Sequence, residues 1–113
     1  MKITHQEAEQ YIRLTLRQHN MTHIPILWTN TKRRLGCYRI EQKRIELSNQ
    51  ILQNFHLFAE VFLHELAHAL DIAERTRFFG THKVKGRNEF HGKNWKKWCS
   101  NLNIHASRFI PVN

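Results

Sequence analysis

From Phe55 to Ala73 apolar side chains recur at helical spacing, and inside that run stand His64, Glu65 and His68. No other feature constrains the fold as much. Phe58, Val61, Phe62, Leu66, Ala69 and Leu70 leave the helix little surface for water, and Asn54 is placed to cap its start. Polar groups carried into such a setting need partners. His64 and His68 are four residues apart, so they share a helix face, about one turn from each other. Two imidazoles so placed can bind one Zn2+ at about 2.0–2.1 Å each. The Glu65 carboxylate beside them can take a proton from water whose pKa zinc has lowered to about 7. His-Glu-x-x-His is the pattern of a metallopeptidase helix, although two His on a helix are often ordinary surface or core residues. A metal would give all three polar side chains a partner at once.

At 113 residues the chain is expected to form one domain, residues 1–113, around a single modest core. Its hydrophobic share of 41% is that of a folded globule. No apolar run approaches the roughly 18 residues of a membrane span. Met1 to Gln6 begins a polar amphipathic stretch without the apolar core of a signal peptide. A cytoplasmic location with no membrane partner is the expectation. Cys37 and Cys99 form no C-x-x-C pair, which leaves no zinc ribbon and favours buried reduced thiols.

The formal charge of +9 is large for the size. From Asp71 onward nine basic side chains stand against Asp71, Glu74 and Glu89. A field of this sign attracts polyanions, above all nucleic acid, while the plain reading is a solvated surface. Lys83, Lys85, Arg87, Lys93, Lys96 and Lys97 are the candidate nucleic-acid contacts.

Thr4 and Glu7 have capping-box spacing and open a helix over roughly residues 4 to 19. Residues 24 to 29 read as a first strand with Pro25 near its start. After a polar turn, residues 37 to 41 read as a second strand. Gln42-Lys43 is a turn without the usual Gly, and residues 44 to 47 alternate as a third strand. The helix from Phe55 to Ala73 follows, then an exposed loop over residues 76 to 89. A last helix spans Glu89 to Leu102, with Trp95, Trp98, Cys99 and Leu102 as its stripe. Arg108 to Pro111 form a short extended segment. Strands and helices segregate along the chain, so the expected class is α+β with a small antiparallel sheet.

A catalytic zinc takes three protein ligands and keeps a fourth position for water. His91, followed by Gly92 at the opening of the last helix, is the leading third ligand if that helix turns back across the motif helix. His82 in the basic loop is an alternative. Glu74 lies about 240° around the helix and about 9 Å along it from His68, so it would require a break. Asp71, one turn from His68, suits support of a ligand or the surface. Tyr38 and His82 are candidates for stabilising an oxyanion. Trp95 and Trp98, three apart among Lys93, Lys96 and Lys97, are core residues or platforms for exposed bases. These alternatives separate two functions: a hydrolase with an open metal site, and a basic nucleic-acid-binding module whose zinc is structural.

Ile45-Glu46-Leu47-Ser48, then Val61 to Ala69 around the motif, then His91-Gly92-Lys93-Asn94-Trp95-Lys96-Lys97-Trp98 resemble the SprT-like metalloprotease family. Trp28, the stretch from Arg33 to Gly36, and Tyr38 also resemble its early strands. The resemblance runs from about Trp28 to Asn103. It implies a zincin-like fold with one catalytic zinc held by His64, His68 and His91, and Glu65 as general base. It further implies peptide-bond hydrolysis in a protein substrate, acting on proteins bound or crosslinked to DNA, single-stranded or junction-like. The site would be nucleoid-associated in that case, and the enzyme is expected to be a monomer. The zinc ribbon of many relatives has no counterpart here, so any DNA contact falls to the catalytic domain itself.

Overall fold

The first helix opens as the Thr4–Glu7 spacing predicts. The Glu7 amide donates to Thr4 Oγ1 at 3.1 Å and the Thr4 amide donates to Glu7 Oε1 at 2.9 Å. Two first-turn donors are thus satisfied reciprocally. The computed structural model describes residues 1–80 and 91–104. Within them α1 is His5–Gln18, β1 Ile26–Thr29, β2 Gly36–Arg39, β3 Arg44–Ser48, α2 Phe55–Phe79 and α3 Lys93–Asn101. A 3-10 turn, Asn49–Gln53, which the sequence reading left unassigned, joins β3 to α2. Among the described residues no helix is long and apolar enough to cross a membrane.

The fold class is α+β, but the sheet is mixed, which corrects the expected antiparallel arrangement. Its order is β1-β3-β2, with β1 parallel and β2 antiparallel to β3. The cause lies in residues 30–35. The chain leaves β1 at Thr29, level with Ser48 at the end of β3, and must pass over that end to reach the far edge. Crossing one strand covers about 10 Å, well within six residues. Ser48 pins the crossing, its Oγ donating to the Thr31 carbonyl at 2.5 Å and its amide donating to the Leu35 carbonyl at 2.9 Å. β2 and β3 then form the hairpin, whose turn places Lys43 at φ 53 where a glycine is usual.

Ile45 and Leu47 of β3 are fully buried, while Glu46 between them pairs with Arg39 and Arg44 on the other face. The inner face meets α2, and α1 adds Ala8, Ile12 and Leu16 to the same core. Tyr11 of α1 sets its ring edge-on against Phe58 and Phe62 of α2.

Asn54 caps α2, its Oδ1 accepting from the amides of His56 at 2.8 Å and Leu57 at 3.2 Å. Every residue from Val61 to Ile72 is buried, so the helix is covered on all sides along this stretch. α2 runs to Phe79, past the expected end at Ala73. Glu74 and Arg75 carry no stop signal, and the helix closes at Gly80, whose φ of 72 suits a left-handed cap. Residues 76–79 are therefore helical where a loop was expected. The rest of that loop, the Glu89 start of the last helix, and Arg108–Pro111 lie outside the described residues. α3 begins after Gly92, which leaves His91 just ahead of the helix.

Candidate metal centre

His64 and His68 sit where α2 is most deeply covered, at 3% and 0% exposure, with Glu65 between them at 0%. His91 arrives from the chain leading into α3. One ring nitrogen from each of His64, His68 and His91 lies within 4.8 Å of the other two. Ring centroids are 5.0 Å apart for His64–His68, 5.7 Å for His64–His91 and 4.7 Å for His68–His91. Tetrahedral zinc with bonds of about 2.0–2.1 Å needs nitrogens about 3.4 Å apart, so modest ring rotations suffice. Three neutral imidazoles are a donor set that suits zinc. Among the described residues no other group of His, Cys, Asp or Glu converges in this way.

Trp95 forms the floor. It is 1% exposed, stacked on His68 at 5.2 Å and 17°, and edge-on to His64 at 4.9 Å and to His91 at 4.7 Å. One indole thus restricts all three rings, a role the sequence reading missed. It also removes Trp95 as a base-stacking platform. Trp98 is partly buried, with Lys97 Nζ 5.2 Å from its ring centroid.

The wall on the sheet side is Gly36. A Cβ there would lie 2.6 Å from Val61 Cγ1 and 3.3 Å from Glu65 Oε2. The missing side chain lets the edge strand β2 come directly against the Glu65 carboxylate. In the sequence Gly36 enters only through the family resemblance, since no spacing rule marks the position.

The alternatives for the third ligand fall differently. Asp71 is fully buried, holding Arg75 through Nε at 3.0 Å and Nη2 at 2.8 Å, and accepting from Asn94 Nδ2 at 2.7 Å. Glu74 accepts from Lys97 Nζ at 2.8 Å, and this bond is the main cause that lowers its pKa. Neither acid belongs to the His cluster. Tyr38 is buried, which pushes its phenol pKa up, and it lines a cavity of about 570 Å3 with Met21, Ile40, Ala69 and Ile72. That lining contains none of the three His. His82 lies outside the described residues.

Cys37 and Cys99 are buried thiols outside any disulfide. Burial raises both pKa values, that of Cys99 to about 12.

Of the candidate nucleic-acid contacts, Lys93, Lys96 and Lys97 are exposed on α3, and Lys97 shares its charge with Glu74. Lys83, Lys85 and Arg87 lie outside the described residues. A cationic group the charge count passed over, Arg33, Arg34 and Arg39, lines a cavity of about 300 Å3 with Gly36 and Cys37.

The model of the SprT-like family matches residues 4–112. No curated protein and no solved structure matches the chain.

Proposed function

Because the chain belongs to the SprT-like family, a family associated with metallopeptidase activity, we propose that it is a zinc-dependent metalloendopeptidase. The observation that carries this reading is the convergence of His64, His68 and His91 beside a fully buried Glu65. The three imidazoles would hold one zinc ion. A bound zinc supplies Lewis acidity, which polarises a scissile carbonyl and acidifies water. Glu65 takes the proton of the attacking water and delivers it to the leaving amine. Trp95 limits how far the three rings can turn. The backbone of Gly36 keeps Glu65 from swinging toward the sheet. A structural zinc site closed by four protein ligands would have no use for the carboxylate between the two His.

For the substrate we propose proteins bound or crosslinked to DNA. Exposed Lys93 and Lys96, at the start of the helix that follows His91, support it by their sign and position. The reading as a basic binding module loses one of its two candidate stacking platforms with the burial of Trp95.

The test pairs metal content with proteolysis. Wild type and Glu65→Gln are purified, zinc per chain is measured, and each is incubated with a DNA-binding protein, with and without single-stranded DNA. The expected result is about one zinc per chain in both, with cleavage by wild type only and stimulation by DNA. Full activity in Glu65→Gln would overturn the mechanism. Bound zinc without cleavage, together with tight salt-sensitive DNA binding, would favour the binding module.

A further inference from the structure

Three side-chain pairs join α2 to the chain around α3, and all have the same sequence separation. His68 meets His91, Asp71 meets Asn94, and Glu74 meets Lys97. Constant separation means that α3 lies beside α2 and runs in the same direction. The pairs are rungs, each three residues beyond the last in both segments.

The rungs differ in what they can specify. Sliding α3 by one residue would rotate its side chains by about 100°, and a full turn would carry them about 5.4 Å. The buried contacts of Trp95 and Cys99 with Ala67 fix which face of α3 turns inward, but they are not directional and discriminate less between shifts along the axis that keep that face inward. The outer rung, Glu74–Lys97, joins side chains that are 24% and 50% exposed, where water competes. The middle rung is different. Asp71 is fully buried, and Arg75 grips both of its oxygens, which fixes the carboxylate and aims Oδ1 at Asn94. Asn94 also reaches Glu74, but its charge-assisted bond to the fixed, buried Asp71 restricts register more than a bond to the more exposed acid.

We propose that the Asp71–Asn94 rung, locked by Arg75, sets the register of α3 on α2 and so presents His91 to His64 and His68. Asn94 and Asp71 are positioning residues for the third ligand. The inference rests on the metal-site reading above, and goes beyond it in naming what places His91.

The test compares Asn94→Ala with Lys97→Ala and with the exchange Asp71→Asn plus Asn94→Asp, all in the full chain. Zinc affinity is read by competition with a chelator, the ligand field by the visible spectrum of the Co2+ form, and α3 register by amide hydrogen exchange in the metal-free protein. Asn94→Ala should lose about 10–100-fold in zinc affinity, the range for groups that orient a ligand. Its Co2+ spectrum should change and its α3 amides should exchange faster, with Val61–Leu70 still protected. Lys97→Ala should stay within about twofold of wild type. The exchange should recover part of the loss. Wild-type zinc affinity in Asn94→Ala, or an equal loss in Lys97→Ala, would overturn the proposal. If wild type itself binds no zinc, the metal-site reading fails, and α3 exchange alone decides the clamp. Faster exchange in Asn94→Ala than in Lys97→Ala upholds it, and equal rates overturn it.

Discussion

The two flanks of α2 are built on different principles. Toward the sheet, Val61 and Glu65 meet β2 at a glycine, and Ile45 and Leu47 are fully buried in the core that α2 shares. Toward α3, the helix offers His68, Asp71 and Glu74, and is met by His91, Asn94 and Lys97. The sheet flank is held by burial and by lack of space. The α3 flank is held by bonds with direction. Burial supplies most of the stability but tolerates small displacements, whereas hydrogen bonds add less and fix position. The motif straddles the two, with Glu65 against the sheet flank at Gly36 and His64 and His68 turned toward α3. His91, which must be aimed, sits on the second.

That contrast breaks if the flanks respond alike to mutation. The largest effect should come from Leu47→Ala on the sheet flank, costing about 2–5 kcal/mol in urea unfolding, because a fully buried leucine leaves a cavity. Gly36→Ala should cost about 1–3 kcal/mol, since its Cβ would meet Val61 Cγ1 at 2.6 Å and the short, branched valine cannot retreat. It should also lower kcat, because Glu65 Oε2 lies 3.3 Å from the new carbon. A Gly36→Ala protein with wild-type stability and turnover would show that the sheet flank has slack.

On the α3 flank, Lys97→Ala should cost no more than about 1 kcal/mol. It also sharpens the comparison through pH. The Lys97 bond holds the Glu74 pKa below its usual value in the folded chain. Glu74 therefore contributes stability above its unfolded pKa of about 4.3, and that contribution disappears as pH falls through the lower folded value. Thermal melts between pH 6 and 3 should lose this part of their acid dependence in Lys97→Ala. An unchanged acid limb would show that the outer rung contributes nothing. The smallest effect concerns reactivity. Since burial raises the Cys99 thiol to about 12, iodoacetamide at pH 8 should label it only when the chain is unfolded.

How much was legible in the sequence follows the same division. The long central helix, its Asn54 cap and the paired His were readable because local pattern alone determines them. The α1 capping box was readable for the same reason. Sheet order was not, because the crossing of residues 30–35 over β3 depends on Ser48 reaching back to Thr31 and Leu35. The end of α2 was not legible because the apolar recurrence stops at Ala73, whereas Glu74 and Arg75 continue the helix with their charges taken up by partners and Gly80 ends it. Asp71 and Asn94 each stand three residues beyond a candidate ligand, His68 and His91. That shared step was visible in the sequence, but it acquires meaning only once α3 is known to lie beside α2 in the same direction.

Hydrolysis at His64, His68 and His91 requires an open three-imidazole site. X-ray absorption at the zinc edge of the zinc-loaded protein reads that coordination. Three imidazole nitrogens and one exchangeable oxygen at about 2.0–2.1 Å are expected. A fourth protein ligand, or a sulfur at about 2.3 Å from either buried cysteine, would mean a closed structural site and would contradict it.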